Sequence, residues 1–288
     1  MIQARNKLSQ EELSEAKNLI NCCQAYDETY RDPYLSNMLN FDPNMPAFFL
    51  YYEKGELVGL LTVHADDQDV EVTILVHPDH RRQGIARALF TCFEKETASY
   101  PIESVTFQTE RVFLERHPDF ASNWGLVEDE ETETWLGKDR RPYPLANVSN
   151  LEVLLADRSY QDQISQLKFQ AFSEEHEPRE VVDRYVAKAL KDPESLLYIL
   201  LKNGQVIGTC TVDLSSNTNY LFGLAIAELE RGKGYGSYLA KSLINQLIEQ
   251  NDKAFQIAVE DSNLGAKRLY EKIGFVKQTQ VVYLKPKV

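Results

Sequence analysis

The sequence contains no run approaching the ~18 consecutive apolar residues that a membrane-spanning helix needs. Its opening, "MIQARNKLSQEELSEAKNL", has no apolar core of the export-signal kind either. No membrane partner is expected, and the expected location is the cytoplasm. Cysteine is scarce. Four occur, at positions 22, 23, 92 and 210, and none shows metal-ligand spacing, so plain buried thiols are expected in place of a disulfide framework or a metal site. Positive charge is also short: 31 lysines and arginines stand against 44 aspartates and glutamates, a formal net charge of −13. That balance argues against a nucleic-acid surface and favours cationic partners. Apolar residues are not short. At 43% of 288 residues they suffice for a sizeable core in each of two domains and exclude a disordered chain.

The chain carries an internal repeat. When "LVHPDHRRQGIARALF" (75–90) is set over "AIAELERGKGYGSYLA" (225–240), Arg81, Gly84 and Ala86 fall on Arg231, Gly234 and Gly236. Upstream, "KGELVGLLTV" ending at Val63 matches "NGQVIGTCTV" ending at Val212, each an apolar alternation entered through a glycine turn, the pattern of a β-hairpin. Downstream, "SVTFQTE" (104–110) matches "AFQIAVE" (254–260). In each copy a first strand leads to a helical region, 8–23 or 159–172, then to the hairpin and a third strand, "VEVTILV" or "YLFGLAI". The glycine loop, a helix and a short buried strand follow. The helix after the second loop presents Tyr235, Leu239, Leu243 and Leu247 on one face. The expected class is α/β (α+β), with two tandem domains over 1–140 and 151–288, each a mixed sheet flanked by helices. Within "GKDRRPYPLANVSN" no apolar period appears, and 141–150 is expected to be a linker.

A strand that ends in a Gly-rich turn and feeds directly into a helix leaves the first-turn N–H groups unpaired, with the positive end of the helix dipole behind them. Such a loop binds phosphate. Gly232, Gly234 and Gly236 let backbone approach an anion closely, and Arg231 adds a fixed cation. A magnesium-binding P-loop is excluded, because Gly232-Lys233 is followed by Gly234 where Ser or Thr is required. A dinucleotide-binding fingerprint fails as well: Ser237 stands where Gly or Ala is needed, and no acidic residue follows about 20 residues on at the end of a second strand. Taken alone, the loop is also readable as a glycine turn that merely caps a helix.

The sequence R-G-K-G-Y-G at 231–236, followed by "VEDSNLGAKRLYEKIGF" at 259–275, resembles the acetyl-CoA-binding core of the GNAT (GCN5-related) family of N-acetyltransferases. The resemblance covers the second half well and the first half through its loop and strand pattern. The tandem arrangement resembles that of the mycothiol synthases, which also carry two such domains. It implies a mostly antiparallel sheet in each copy, with acetyl-CoA as co-substrate. It further implies that the amides of Arg231, Gly232, Lys233, Gly234, Tyr235, Gly236 and Ser237 cradle the CoA pyrophosphate. Leu224, Ala225 and Ile226 would pair with the pantetheine arm as a neighbouring strand does, and Asn263 would contact that arm from the other side. A main-chain N–H at a strand bulge around Gly223 and Leu224 would stabilise the tetrahedral oxyanion, and Tyr270 would protonate the departing thiolate. From spacing alone, Ala266, Leu269, Tyr270 and Ile273 also fit a buried helix face, and Asp261, Ser262 or Asn263 a helix cap.

Some members of the family place a glutamate on the strand before the loop to take the acceptor's proton. Alignment on the loop puts Tyr220 there, which leaves Glu260, Asp213 or a water relay as the base. The segment 172–180, with Glu174, Glu175, His176 and Glu177, lies where the family usually builds the acceptor site, and reads more readily as a solvated acidic face. The first copy departs further. It keeps Arg81, Arg82, Gln83, Gly84, Ile85 and Ala86 as candidate cofactor contacts, but Phe113 stands opposite Asn263, Phe120 or Ala121 stands opposite Tyr270, and Pro118 interrupts the helix. This copy is expected to hold CoA or a nucleotide tail at most, without chemistry. The expected function is acetyl-CoA-dependent transfer of an acetyl group to a primary amine of a small molecule or peptide. The alternative is a non-catalytic acyl-CoA-binding regulator.

Overall fold

The structure is a computed structural model that describes residues 1–145, 148–172 and 179–287. The acidic segment with Glu174, Glu175, His176 and Glu177 lies outside the described residues, as do Ala146 and Asn147 of the expected linker. The chain forms two compact units, Met1–Trp135 together with Gln278–Val288, and Leu136–Lys277. These bounds differ from the expected 1–140 and 151–288. A boundary drawn from the repeat assumes that each copy completes its own sheet in sequence order, whereas the chain's last strand pairs with a strand of the first unit, Val281 facing Glu110 and Leu284 facing Phe107.

The first unit contains β1 (Ile2–Arg5), α1 (Gln10–Asp27), β2 (Phe48–Glu53), β3 (Glu56–His64), β4 (Asp69–Val76), α2 (Ile85–Thr97), β5 (Ser104–Glu110), the short helices α3 (Arg111–Arg116) and α4 (Phe120–Trp124), and β6 (Leu126–Lys138) up to Trp135. The second contains β7 (Leu151–Leu155), α5 (Gln161–Phe172), α6 (Arg179–Ala189), β8 (Ser195–Lys202), β9 (Gln205–Asp213), β10 (Asn219–Ile226), α7 (Tyr235–Gln250), β11 (Phe255–Glu260) and α8 (Leu264–Lys272). The last strand, β12 (Val276–Pro286), belongs to the first unit from Gln278 onward.

Local sequence chemistry accounts for these elements. Helix α1 begins with a reciprocal cap, in which the Glu12 N–H donates to Ser9 Oγ at 3.1 Å and the Ser9 N–H donates to the Glu12 carboxylate at 2.8 Å. The β2–β3 and β8–β9 hairpins turn at Lys54-Gly55 (φ 51° and 89°) and Asn203-Gly204 (φ 51° and 80°). Positive φ at both central residues is the tight-turn geometry that matches strand twist, as the glycine turns imply. Pro118 separates α3 from α4, so the first copy has two stubs where the second has the continuous α8.

Each unit is a sheet between helices. In the first, order β1-β2-β3-β4-β5-β12-β6, the pair β4–β5 is parallel while β1–β2, β2–β3, β3–β4 and β5–β12 are antiparallel. Ile85, Leu89 and Phe93 of α2 pack on Val70, Val72 and Phe107, while Leu19, Ile20 and Cys23 of α1 pack with Phe48, Leu50 and Leu60. In the second, order β11-β10-β9-β8-β7, β10–β11 is parallel while β9–β10, β8–β9 and β7–β8 are antiparallel. Leu239, Leu243 and Leu247 of α7 cover Cys210, Val212, Leu221 and Ile257, and Ile164 of α5 and Val186 of α6 join Leu197 and Ile199 in a separate cluster. Of the free cysteines, Cys23 and Cys210 are buried, and Cys22 and Cys92 are half-buried. Among the described residues no helix is long and apolar enough to cross a membrane, and no cluster of candidate metal ligands occurs.

Candidate functional site

In both units the parallel strands part toward their carboxyl ends. β10 pairs with β11 from Asn219 to Leu221, the last opposite Ile257, and continues to Ile226. In the same stretch β10 changes register against β9: Phe222 faces Thr211 and Ala225 faces Thr209, so Gly223 and Leu224 together oppose Cys210. Two residues against one is a β-bulge, which bends the strand and frees main-chain groups from the ladder. Gly223 at φ +58° supplies the left-handed conformation that this geometry requires. The bulge falls at Gly223 and Leu224, where the resemblance implies one, with Ala225 and Ile226 running on beside the parted β11.

Gly232 (φ +74°) and Gly234 (φ +85°) shape the loop after β10, and a Cβ on either would point into open space. Gly236 differs: a Cβ there would lie 2.9 Å from Leu269 Cδ1, so its role is to let α7 approach α8. Gly234 is the N-cap of α7 and no side chain caps that helix, which leaves its first-turn N–H groups facing outward around Tyr235, Gly236 and Ser237. Arg231 is pinned by its Nε, which donates to the Ile226 carbonyl at 3.0 Å. Lys233 Nζ donates to the Leu229 carbonyl at 2.7 Å and to Glu230 at 3.0 Å, and Glu230 also holds Lys202, which stands over the Tyr235 ring. Glu228 and Glu230 stand against Arg231, Lys233 and Lys202, and the uncapped N-terminus of α7 adds the positive end of its dipole, as an anion site needs.

Tyr270 is buried on α8, its ring set edge-on to Phe275 with centroids 5.9 Å apart. Burial, reinforced by the neighbouring Cys210 thiol, raises its pKa above the ordinary phenol value and keeps it protonated at neutral pH. Asn263 caps α8, its Oδ1 accepting from the Ala266 N–H at 3.0 Å. The carboxylates considered as bases are engaged elsewhere. Asp213, raised to about 6 by burial, accepts from the hydroxyl and N–H of Ser215 at 2.8 and 3.2 Å, and Glu260, exposed at the end of β11, accepts from Ser262 at 3.3 Å. Lys168 does not stand out in the sequence, yet its Nζ lies 2.7 Å from where a Cβ on Gly223 would be. The signal is its place on the buried stripe of α5, beside Leu167 and four residues after Ile164.

The first unit repeats the loop and not the bulge. Arg81 Nε donates to the Val76 carbonyl at 3.0 Å as Arg231 does to Ile226, Arg82 (φ +62°) and Gly84 (φ +83°) reproduce the two left-handed positions, and α2 starts at Ile85 without a side-chain cap, with Ala86 in place of Gly236. Its strand β4, however, pairs with β3 without interruption from Glu71 opposite His64 to Val76 opposite Gly59. Arg81 also gives both terminal nitrogens to the buried Asp27 carboxylate, at 2.7 and 2.6 Å. Where β4 and β5 part, the chain itself spans the gap: the Arg31 guanidinium donates to Thr73 on β4 and Gln108 on β5, and the N–H groups of Tyr30 and Arg31 donate to Glu110. Gln83 donates to the Asp79 carbonyl at 3.4 Å.

The description Acetyltransferase (GNAT) family matches the chain twice, over residues 13–137 and 161–275. The chain belongs to the GNAT acetyltransferase family. It is an acyltransferase with two GNAT repeats. It is 26% identical over 230 residues to a mycothiol acetyltransferase of Clavibacter sepedonicus, covering 76% of this chain and 73% of that protein. A GCN5-related N-acetyltransferase from Sphaerobacter thermophilus shares the fold, with TM-score 0.70 and 17% identity over 100% of this chain and 96% of that one. So does a tandem GNAT protein from the clavulanic acid biosynthesis pathway, with TM-score 0.70 and 16% identity over 99% and 97% of the two chains.

Proposed function

We propose that this GNAT protein transfers the acetyl group of acetyl-CoA directly to a primary amine of a small molecule or peptide, and that the second unit performs the chemistry. The observation that carries this reading is the bulge at Gly223 and Leu224, set where β10 leaves β11 and just before the uncapped N-terminus of α7. Pyrophosphate is held by the amides from Arg231 to Ser237, and the pantetheine arm lies along Leu224, Ala225 and Ile226 as an added strand. Asn263, its oxygen committed to the cap, meets the arm from α8. The freed Leu224 N–H polarises the thioester carbonyl and stabilises the oxyanion formed on attack. Tyr270, kept protonated by burial, gives its proton to the departing CoA thiolate.

The first unit serves as a non-catalytic partner. Its loop residues, Arg81, Arg82, Gln83, Gly84, Ile85 and Ala86, keep a phosphate-binding shape, but Arg81 is neutralised by Asp27 and Arg31 occupies the parting of the strands. A cytoplasmic location suits a co-substrate made and used there. The test is release of free CoA thiol from acetyl-CoA over a broad panel of amines. Acceptor-stimulated release is expected; tight acetyl-CoA binding without release from any amine would favour an acyl-CoA-binding regulator instead.

A further inference from the structure

We propose that Lys168 is the general base that takes the proton from the acceptor amine, an assignment that rests on reading the second unit as an acetyl-CoA-dependent transfer site. The position that some relatives fill with a glutamate is Tyr220 here, and Asp213 and Glu260 are tied to Ser215 and Ser262. Lys168 reaches the bulge from α5, on the face of the sheet opposite α7. It is 4% exposed, its Nζ donates to Thr211 Oγ1 at 3.4 Å, and a Cβ on Gly223 would meet that nitrogen at 2.7 Å. Two aromatic rings, Phe172 and Tyr185, lie beside it at 5.9 and 5.5 Å. One turn back on the same helix the Ser165 hydroxyl is fully buried and has no hydrogen-bond partner among the described residues. The buried Lys168 at the bulge and the unpartnered Ser165 hydroxyl on the same helical stripe are groups that a bound amine would engage.

The titratable groups around Lys168 leave it able to exchange a proton. Cys210 on β9 is neutral, its thiol pushed up to about 12 by burial; Asp213 lies two residues beyond Thr211 and is bound to Ser215; Tyr185 presents its ring from α6, and Tyr220 stands on β10, stacked on Phe222. Burial disfavours the ammonium and brings Lys168 down to about 8, so an appreciable fraction is the free amine near neutral pH. In the step proposed, the Lys168 lone pair accepts a proton from the acceptor ammonium. The freed nitrogen bonds to the thioester carbon, and the C–S bond then breaks as Tyr270 protonates the thiolate. The second proton lost by the nitrogen reprotonates Tyr270, and Lys168 returns its own to solvent, so one proton is released per turnover.

Two variants and one profile test the assignment. For an alkylamine acceptor, Lys168→Met and Lys168→Arg should each lose roughly 10²- to 10⁴-fold in kcat/KM while acetyl-CoA affinity is kept, because arginine retains the charge and cannot act as a base. With an aniline, already neutral at pH 7, Lys168→Met should lose less than about tenfold. An Arg variant with near-native turnover, or equal losses for the two acceptors, would overturn the assignment in favour of a cationic or structural role. In the unmodified protein, kcat/KM with the alkylamine should rise with pH and level off near 8; levelling only at the acceptor's own, higher pKa would overturn it without any variant. Absence of turnover in the unmodified protein with every amine overturns the transferase reading and the base together. Turnover there with an undiminished Lys168→Met overturns the base alone.

Discussion

Strands β4 and β10 occupy the same place in the two repeats and differ by one residue. β4 pairs with β3 without interruption from Glu71 to Val76, whereas β10 carries Gly223 and Leu224 opposite Cys210 alone. The unit of β10 has the continuous helix α8, which carries Tyr270; around β4 the same loop shape persists, but Asp27 holds its arginine and Arg31 fills the parting of the strands. The loop conformation and the strand bulge are therefore separable features. The loop joins a strand to a helix in both units, whereas the bulge is found on β10 and not on β4.

The largest effect that would break this contrast is expected at Tyr270. Tyr270→Phe keeps the ring and removes the acid, so kcat should fall about 10²- to 10⁴-fold in single-turnover assays with acetyl-CoA affinity unchanged. Phe120→Leu, at the counterpart position, should leave kcat unaltered. A Tyr270→Phe protein that transfers at the native rate and loses only ~1 kcal/mol of stability would return Tyr270 to the core.

A smaller effect belongs to the first unit. Asp27→Ala leaves the half-buried Arg81 guanidinium without its bidentate partner and should cost on the order of 3 kcal/mol, read as a lower denaturant midpoint, with kcat unchanged. Loss of turnover without loss of stability would give the first loop a direct part in the reaction.

The smallest effect is on pH dependence. Burial raises the folded-state pKa of Asp213 from 3.8 to about 6, so the folded chain binds this proton more tightly than the unfolded one, and the contribution to stability falls as pH rises through that window. Thermal midpoints of Asp213→Asn should therefore decline less between pH 4 and 6 than those of the unmodified protein. An identical slope in the two proteins would show that the carboxyl is not desolvated.

Much of this was legible in the sequence, because the glycine turns, the paired loops and the break at Pro118 act locally. The bulge left a trace as well. Val63 and Val212 are 149 positions apart, whereas Arg81 and Arg231 are 150 apart, and the extra residue lies between them, on β10. Lys168 was hidden because one lysine on a helical stripe looks like a snorkelling surface residue until tertiary packing closes over it. The insertion of Arg31 between β4 and β5, and the return of β12 to the first unit, depend on contacts between residues distant in sequence, from Arg31 to Thr73 and Gln108 and from Val281 to Glu110, which no local pattern carries.

Because Asp27 holds Arg81 and Arg31 fills the parting of β4 and β5, we propose that the second unit alone holds the co-substrate, and calorimetric titration of acetyl-CoA tests this most directly. One site per chain is predicted. It should be lost in Gly234→Glu, which sets a carboxylate at the phosphate loop with a Cβ in open space and only the φ of +85° to oppose it, and kept in Gly84→Glu. Two sites per chain, or one site abolished by Gly84→Glu and untouched by Gly234→Glu, would contradict the account.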